Sequence, residues 1–115
     1  MKTVTSRPVA QGDILIIPIS EVPAGAEPAT AENGHYIVAH SETGHHHVIE
    51  MTRAEVFEAA DDEFVAYVRS LGDGAEIVHK RDFHTHETVA IPPNSVVQIR
   101  RQREYVPEGF RRAQD

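Results

Sequence analysis

Hydrophobic residues in this chain come in short, β-branched bursts separated by Gly, Pro, Asn and Asp, a pattern that predicts strands joined by turns. Gln11 to Ile19 (QGDILIIPI), opened by Gly12 and rich in isoleucine, predicts the first firm strand. Glu21 to Gly34 predicts a loop with turns at Pro23-Ala24-Gly25 and Asn33-Gly34. Strands are expected at Tyr36 to Ala39 and, after the Thr43-Gly44 turn, at His45 to Met51. Thr52 to Ala60 is the single candidate helix: Thr52 and Glu55 match a capping box, with Ala54, Val56, Phe57, Ala59 and Ala60 behind it. Strands resume at Glu63 to Arg69 and Ala75 to His79, where Gly72-Asp73-Gly74 reads as a hairpin turn. Phe83 to Ile91 and Ser95 to Val106 follow, joined at Pro92-Pro93-Asn94, with Asn94 expected at positive φ. About seven short strands and at most one short helix predict an all-β fold, a small barrel or a sandwich.

Length and composition bound this picture without changing it. The 115 residues, 40% hydrophobic and 25% charged, suit one globular β domain over 1–115, with 1–10 and 107–115 as peripheral tails. No apolar run approaches the ~18 residues of a membrane span, and the amino terminus carries no signal-like pattern, so a soluble, cytoplasmic protein is expected. A formal net charge of −7 argues against a nucleic-acid surface. The excess of arginine near the carboxyl terminus (Arg100, Arg101, Arg103, Arg111, Arg112) could touch an anionic partner, but a solvated strand edge whose charge discourages aggregation explains it more cheaply.

Candidate chemistry lies in histidine. Six of the eight histidines fall in two clusters, His40 with His45, His46 and His47, and His84 with His86. Alternate residues of a strand share a face, so His45 pairs with His47 and His84 with His86, each pair about 6.5 Å apart at the α-carbons. Two such pairs on neighbouring strands can bring imidazoles around one metal at ~2.0–2.1 Å. The chain has no cysteine, so nitrogen and oxygen must supply every ligand. Glu42 and Glu50 are the nearest acidic candidates, while His46 points to the opposite face. The plainer alternative is that these are surface histidines on polar strand faces, or satisfied core groups. No nucleophile elbow, phosphate loop or dinucleotide fingerprint is present.

His-x-His, a following strand and a Pro-Pro-Asn turn together resemble the cupin family of small metal-binding β-barrels. A broader resemblance rests on Gln11-Gly12-Asp13-Ile14-Leu15, Ser41-Glu42-Thr43-Gly44-His45-His46-His47, Ile91-Pro92-Pro93-Asn94 and Gln102-Arg103-Glu104-Tyr105. These segments are similar to a family of small uncharacterised bacterial and phage proteins patterned QGD, GE-x-TGH-x-H, LPPG and QREY. Ser41 and Asn94 stand where glycine is usual in that pattern. The resemblance implies Glu42, His45, His47 and His86 as site residues and leaves His46 out.

Two functions of different class follow as expectations. The first is a metal-binding, cupin-like domain holding zinc, nickel or iron on His45, His47 and His86, with His84 or Glu42 as the fourth ligand. An open position on such a metal would activate water or oxygen, and no pattern names a substrate. The second, motivated by the phage-like relatives, is a virion or capsid-associated β-domain. There the histidines would line a contact between subunits of a homo-oligomer or lattice, without turnover.

Overall fold

The computed structural model describes residues 1–39, 46–79 and 87–101, together with the backbone of 103–106 and 109–112. It is all-β, and no helix occurs among the described residues. In chain order the strands are β1 (Lys2–Thr3), β2 (Val9–Gln11), β3 (Ile14–Ile19), β4 (Glu27–Pro28), β5 (His35–Ala39), β6 (His47–Glu50) and β7 (Ala54–Glu58). They continue as β8 (Val65–Ser70), β9 (Ala75–His79), β10 (Val89–Ile91), β11 (Val96–Arg101), β12 (Arg103–Val106) and β13 (Gly109–Arg112). One sheet runs β1-β10-β9-β6-β5, a second β2-β3-β11-β8-β7-β4, and β12 pairs with β13. The fold is therefore the sandwich of the two expected architectures and not a closed barrel.

Period-two patterning decides which faces meet. Ile14 and Ile16 of β3, Ala54 and Val56 of β7, and Val97 and Ile99 of β11 are buried from the second sheet. Ile49 of β6, Ala75 and Ile77 of β9, and Val89 and Ile91 of β10 oppose them from the first. Except at Ile49, whose neighbour Val48 is also buried, their alternation with exposed or half-buried strand neighbours is the pleat of a strand with one face in the core. Burial of such β-branched side chains is the main favourable term, at about 1.5–3 kcal/mol for each large one. No helix among the described residues is long and apolar enough to cross a membrane.

The expected helix at Thr52 to Ala60 is a strand, β7. Ala54 and Val56 are buried while Glu55 and Glu58 are exposed, and the segment pairs with β8 from Ala54↔Ser70 to Glu58↔Ala66. A helix of nine residues is marginal in water, whereas the ladder joins a growing sheet and buries an apolar face. Glu55 does not close a capping box; its carboxylate accepts from Arg69 Nε at 2.9 Å, across the β7–β8 pair.

The Gly72-Asp73-Gly74 turn is not a hairpin either. It carries the chain from β8 in one sheet to β9 in the other, and Pro92-Pro93-Asn94 makes a parallel change from β10 to β11. The two crossovers pack together. Gly74 has φ 75°, and a Cβ there would meet Ile91 O at 2.9 Å. Arg53 Nε donates to Gly74 O at 3.0 Å, and the buried Ser70 hydroxyl accepts from Ser95 N–H at 2.9 Å. Asn94 has φ 53°, as the turn reading requires. These crossovers tie one end of the sandwich and leave the other end to the histidines.

The expected strand at Ser95 to Val106 divides into β11 and β12, and Phe83 to Ile91 is described only from residue 87, with β10 beginning at Val89.

Candidate functional site

At the end opposite the crossovers, three strand termini lie in register. Ala39, the last residue of β5, pairs with His47, the first of β6, and His47 pairs with His79, the last of β9. Residues 40–45 join β5 to β6, and residues 80–86 join β9 to β10. Both histidine-bearing connections are therefore anchored on this one row. The predicted strands carrying the two pairs correspond to β6 and β10, which share a sheet but are separated by β9.

Of the predicted site residues, the structure describes His47 and, exposed at the far end of β6, Glu50. Glu42, His45, His84 and His86 lie outside the described residues. The His47 side chain turns inward and is 1% exposed, although it opens its strand. Its ring stacks on that of His79, with centroids 4.1 Å apart and planes 7° from parallel. His79 is itself buried, at 5% exposure. His46 is half-buried and His35 sits at the far end of β5.

The partners of His47 come from Gln11-Gly12-Asp13, the turn between β2 and β3 in the opposite sheet. Gly12 has φ 58°, which lets two polar side chains flank a tight reversal just before the apolar run of β3. Gln11 is buried, and its Nε2 donates to Ile77 O at 2.8 Å and Glu87 O at 3.0 Å. Two carbonyl oxygens can be served only by the NH2 group, so the amide orientation is fixed. Gln11 Oε1 then accepts from His47 Nδ1 at 2.8 Å. Gln11 thus bridges the sheets and sets the imidazole tautomer, with the proton on Nδ1.

That tautomer gives the other ring nitrogen its meaning. In neutral imidazole, Nε2 carries a lone pair once Nδ1 carries the proton. Nε2 lies 2.9 Å from Asp13 Oδ1, and Arg101 Nε lies 3.4 Å from Asp13 Oδ2. Two lone pairs facing one another at this distance repel unless a positive centre, a proton or a metal ion, lies between or beside them. The donor set therefore fits a cation. Among the described residues no group of three or more His, Asp or Glu gathers in metal-binding geometry. Nε2 and Oδ1 are two facing donors, and the connections at 40–45 and 80–86 carry the other candidates.

Glu87, the acidic residue beside His86, is committed elsewhere. Its Oε2 pairs with the amino group of Met1 at 2.5 Å. This hydrogen bond and the ammonium charge hold its carboxyl below the usual carboxylate range. The pair lies beside the parallel match of β1 with β10, in which Lys2 and Thr3 face Val89 and Ala90.

Gln11, Asp13, Arg101 and His79 were not among the sequence candidates. A legible signal did exist: a glutamine and an aspartate flanking a glycine directly ahead of Ile14-Leu15-Ile16-Ile17, where polar side chains have nowhere to go but the end of the core. Histidine spacing within one strand carries no information about partners that arrive from the other sheet.

Residues 10–102 match a protein family described as a Domain of unknown function (DUF8820). Neither the curated proteins nor the solved structures contain a match to the chain.

Proposed function

This chain belongs to the DUF8820 family, whose function is unknown, and we propose that it is a metal-binding domain centred on His47. The observation that carries the reading is the facing pair His47 Nε2 and Asp13 Oδ1, 2.9 Å apart, with Nδ1 held as a donor by Gln11. Ligands bound at ~2.0–2.2 Å around a small cation sit about 3 Å from one another, so this spacing suits two neighbouring positions on one metal. Gln11 plays the part usually taken by an outer hydrogen-bond acceptor, fixing ring orientation and tautomer behind the coordinating nitrogen.

His45, His84 and His86, with Glu42, complete the set in this proposal. His45 is two residues from His47, so the chain keeps its α-carbon within about 7 Å of that residue. His84 and His86 are carried by the connection that leaves from His79 and returns at Glu87. With imidazole and carboxylate donors and no cysteine in the chain, zinc, nickel or iron are the ions that fit.

The test is metal analysis of the untagged chain after loading with each ion and exchange into buffer. One equivalent should remain on the wild type and on His46→Ala. His47→Ala and Asp13→Ala should lose it, and the thermal stabilisation by metal should disappear with it. Equal loss in His46→Ala would indicate diffuse surface binding. Absence of metal from the wild type, together with formation of a ring or lattice, would replace this reading with an assembly role such as a virion-associated domain.

A further inference from the structure

We propose that His79 is a positioning residue of the metal centre: the face of its imidazole sets the plane of the His47 ring, and so the direction of Nε2, without His79 binding that ion. This role rests on the metal reading above. Its geometric part, control of the ring plane, is measurable without metal.

An imidazole can serve such a centre as a ligand or as a support, and the geometry separates the two. Ring-nitrogen lone pairs lie in the plane of the ring, so two histidines share an ion only where their planes cross close to both rings. The planes of His47 and His79 are 7° from parallel with centroids 4.1 Å apart, and they meet far beyond the ~2.0–2.1 Å reach of a metal–nitrogen bond. An ion held in plane by His47 Nε2 is therefore out of reach of either nitrogen of His79. What His79 presents to His47 is a flat face. The polar contacts of the His47 ring meet its edge instead: Nδ1 donates to Gln11 Oε1 at 2.8 Å, and Nε2 faces Asp13 Oδ1 at 2.9 Å. Edge contacts resist tilting weakly, because the torsion that tilts a histidine ring is broad and a hydrogen bond tolerates about 30° of misalignment. A ring against the face resists the tilt directly, since tilting drives atoms into it. A working site holds its donors within about 0.5 Å and 10–20°, a tolerance that the stack can enforce. The fold supplies the stack by register. His47 opens β6, His79 closes β9, and the two are direct cross-strand partners buried on the same face of the sheet.

Three substitutions of His79 in the full, histidine-labelled chain test the role. Phenylalanine keeps a flat ring and removes both nitrogens, leucine keeps bulk without flatness, and alanine removes both. In metal-free protein, the Nδ1–H signal of His47 should exchange slowly in the wild type and in His79→Phe, and should be lost in His79→Leu and His79→Ala. Zinc affinity, read by competition with a chelator, should be retained in His79→Phe. It should fall about tenfold to hundredfold in the other two, the range for removing a group that orients a metal ligand. Loss of zinc from His79→Phe with the Nδ1–H signal intact would overturn the proposal by making His79 a ligand. Loss of both in that variant would reduce the effect to general packing and overturn it equally. An unchanged Nδ1–H signal in His79→Leu would show that the stack is incidental. Should His79→Ala fail to fold, the phenylalanine and leucine variants decide alone. A wild type that takes up no zinc, while its Nδ1–H signal follows the predicted order, would refute the metal centre and leave the ring-setting role of His79 standing.

Discussion

Replacing Gln11 with leucine isolates the residue that ties the two sheets together at the histidine end. Leucine is close enough in volume that no large cavity opens, so the loss is one of hydrogen bonds. Three are removed: those to Ile77 O, Glu87 O and His47 Nδ1. The bonds to Ile77 O and His47 Nδ1 are buried, while that to Glu87 O is half-buried. An orphaned buried donor or acceptor costs about 1–3 kcal/mol, and a hydrogen bond that water can replace costs nearer ~1 kcal/mol. We therefore expect Gln11→Leu to destabilise by about 3 kcal/mol or more, a large share of the ~5–15 kcal/mol that holds a domain of this kind. The corresponding fall in Tm is roughly 12–20 °C. Guanidinium unfolding with an unchanged m value reads the difference directly. A loss below about 1 kcal/mol would refute the reasoning, because it would mean that water serves these groups and Gln11 bridges nothing.

Asp13→Asn should leave the metal-free protein as stable as the wild type or slightly more so, since the amide can donate to His47 Nε2, yet it should abolish metal binding; calorimetric titration beside a thermal melt checks both. Asn94→Gly should fall within about 0.5 kcal/mol of the wild type, because glycine adopts the same positive φ. Gly74→Ala should cost about 2 kcal/mol or more, through left-handed strain and contact with Ile91 O, and chemical unfolding compares the two turns. The depressed Glu87 carboxyl contributes stability above its unfolded-state pKa, and that contribution disappears as pH falls through the folded value. The protection factor of the Val4 amide, which donates to Ala90 O, should therefore fall in mild acid once the intrinsic exchange rate is divided out, and Glu87→Gln should remove that fall. Identical pH profiles in the two proteins would contradict it.

The strands with one-sided burial were legible because alternation is local. Ile14 and Ile16 announce a core face whatever lies opposite, and Asn94 announces a left-handed turn from its own chemistry. Residues 54–58 were misread because their alanine content and the Thr52–Glu55 spacing favour a helix locally, while the ladder to β8 that overrides it is set by residues 66–70. The glycine turn at 72–74 failed for a related reason: a reversal looks alike in sequence whether it returns to the same sheet or crosses to the facing one. Histidine clustering located the correct end of the molecule. It could not identify Gln11 and Asp13, because their approach to His47 depends on how two sheets stack, and no spacing along one strand encodes that.

The central claim is that His47 offers Nε2 to a metal while Gln11 keeps the proton on Nδ1. Ring-nitrogen NMR of histidine-labelled, untagged protein, titrated with zinc, measures both atoms at once. The account predicts that the His47 Nε2 resonance moves to the metal-bound position and saturates at one zinc per chain, with Nδ1 still protonated. An Nε2 resonance that stays fixed while zinc saturates the other histidines would contradict it.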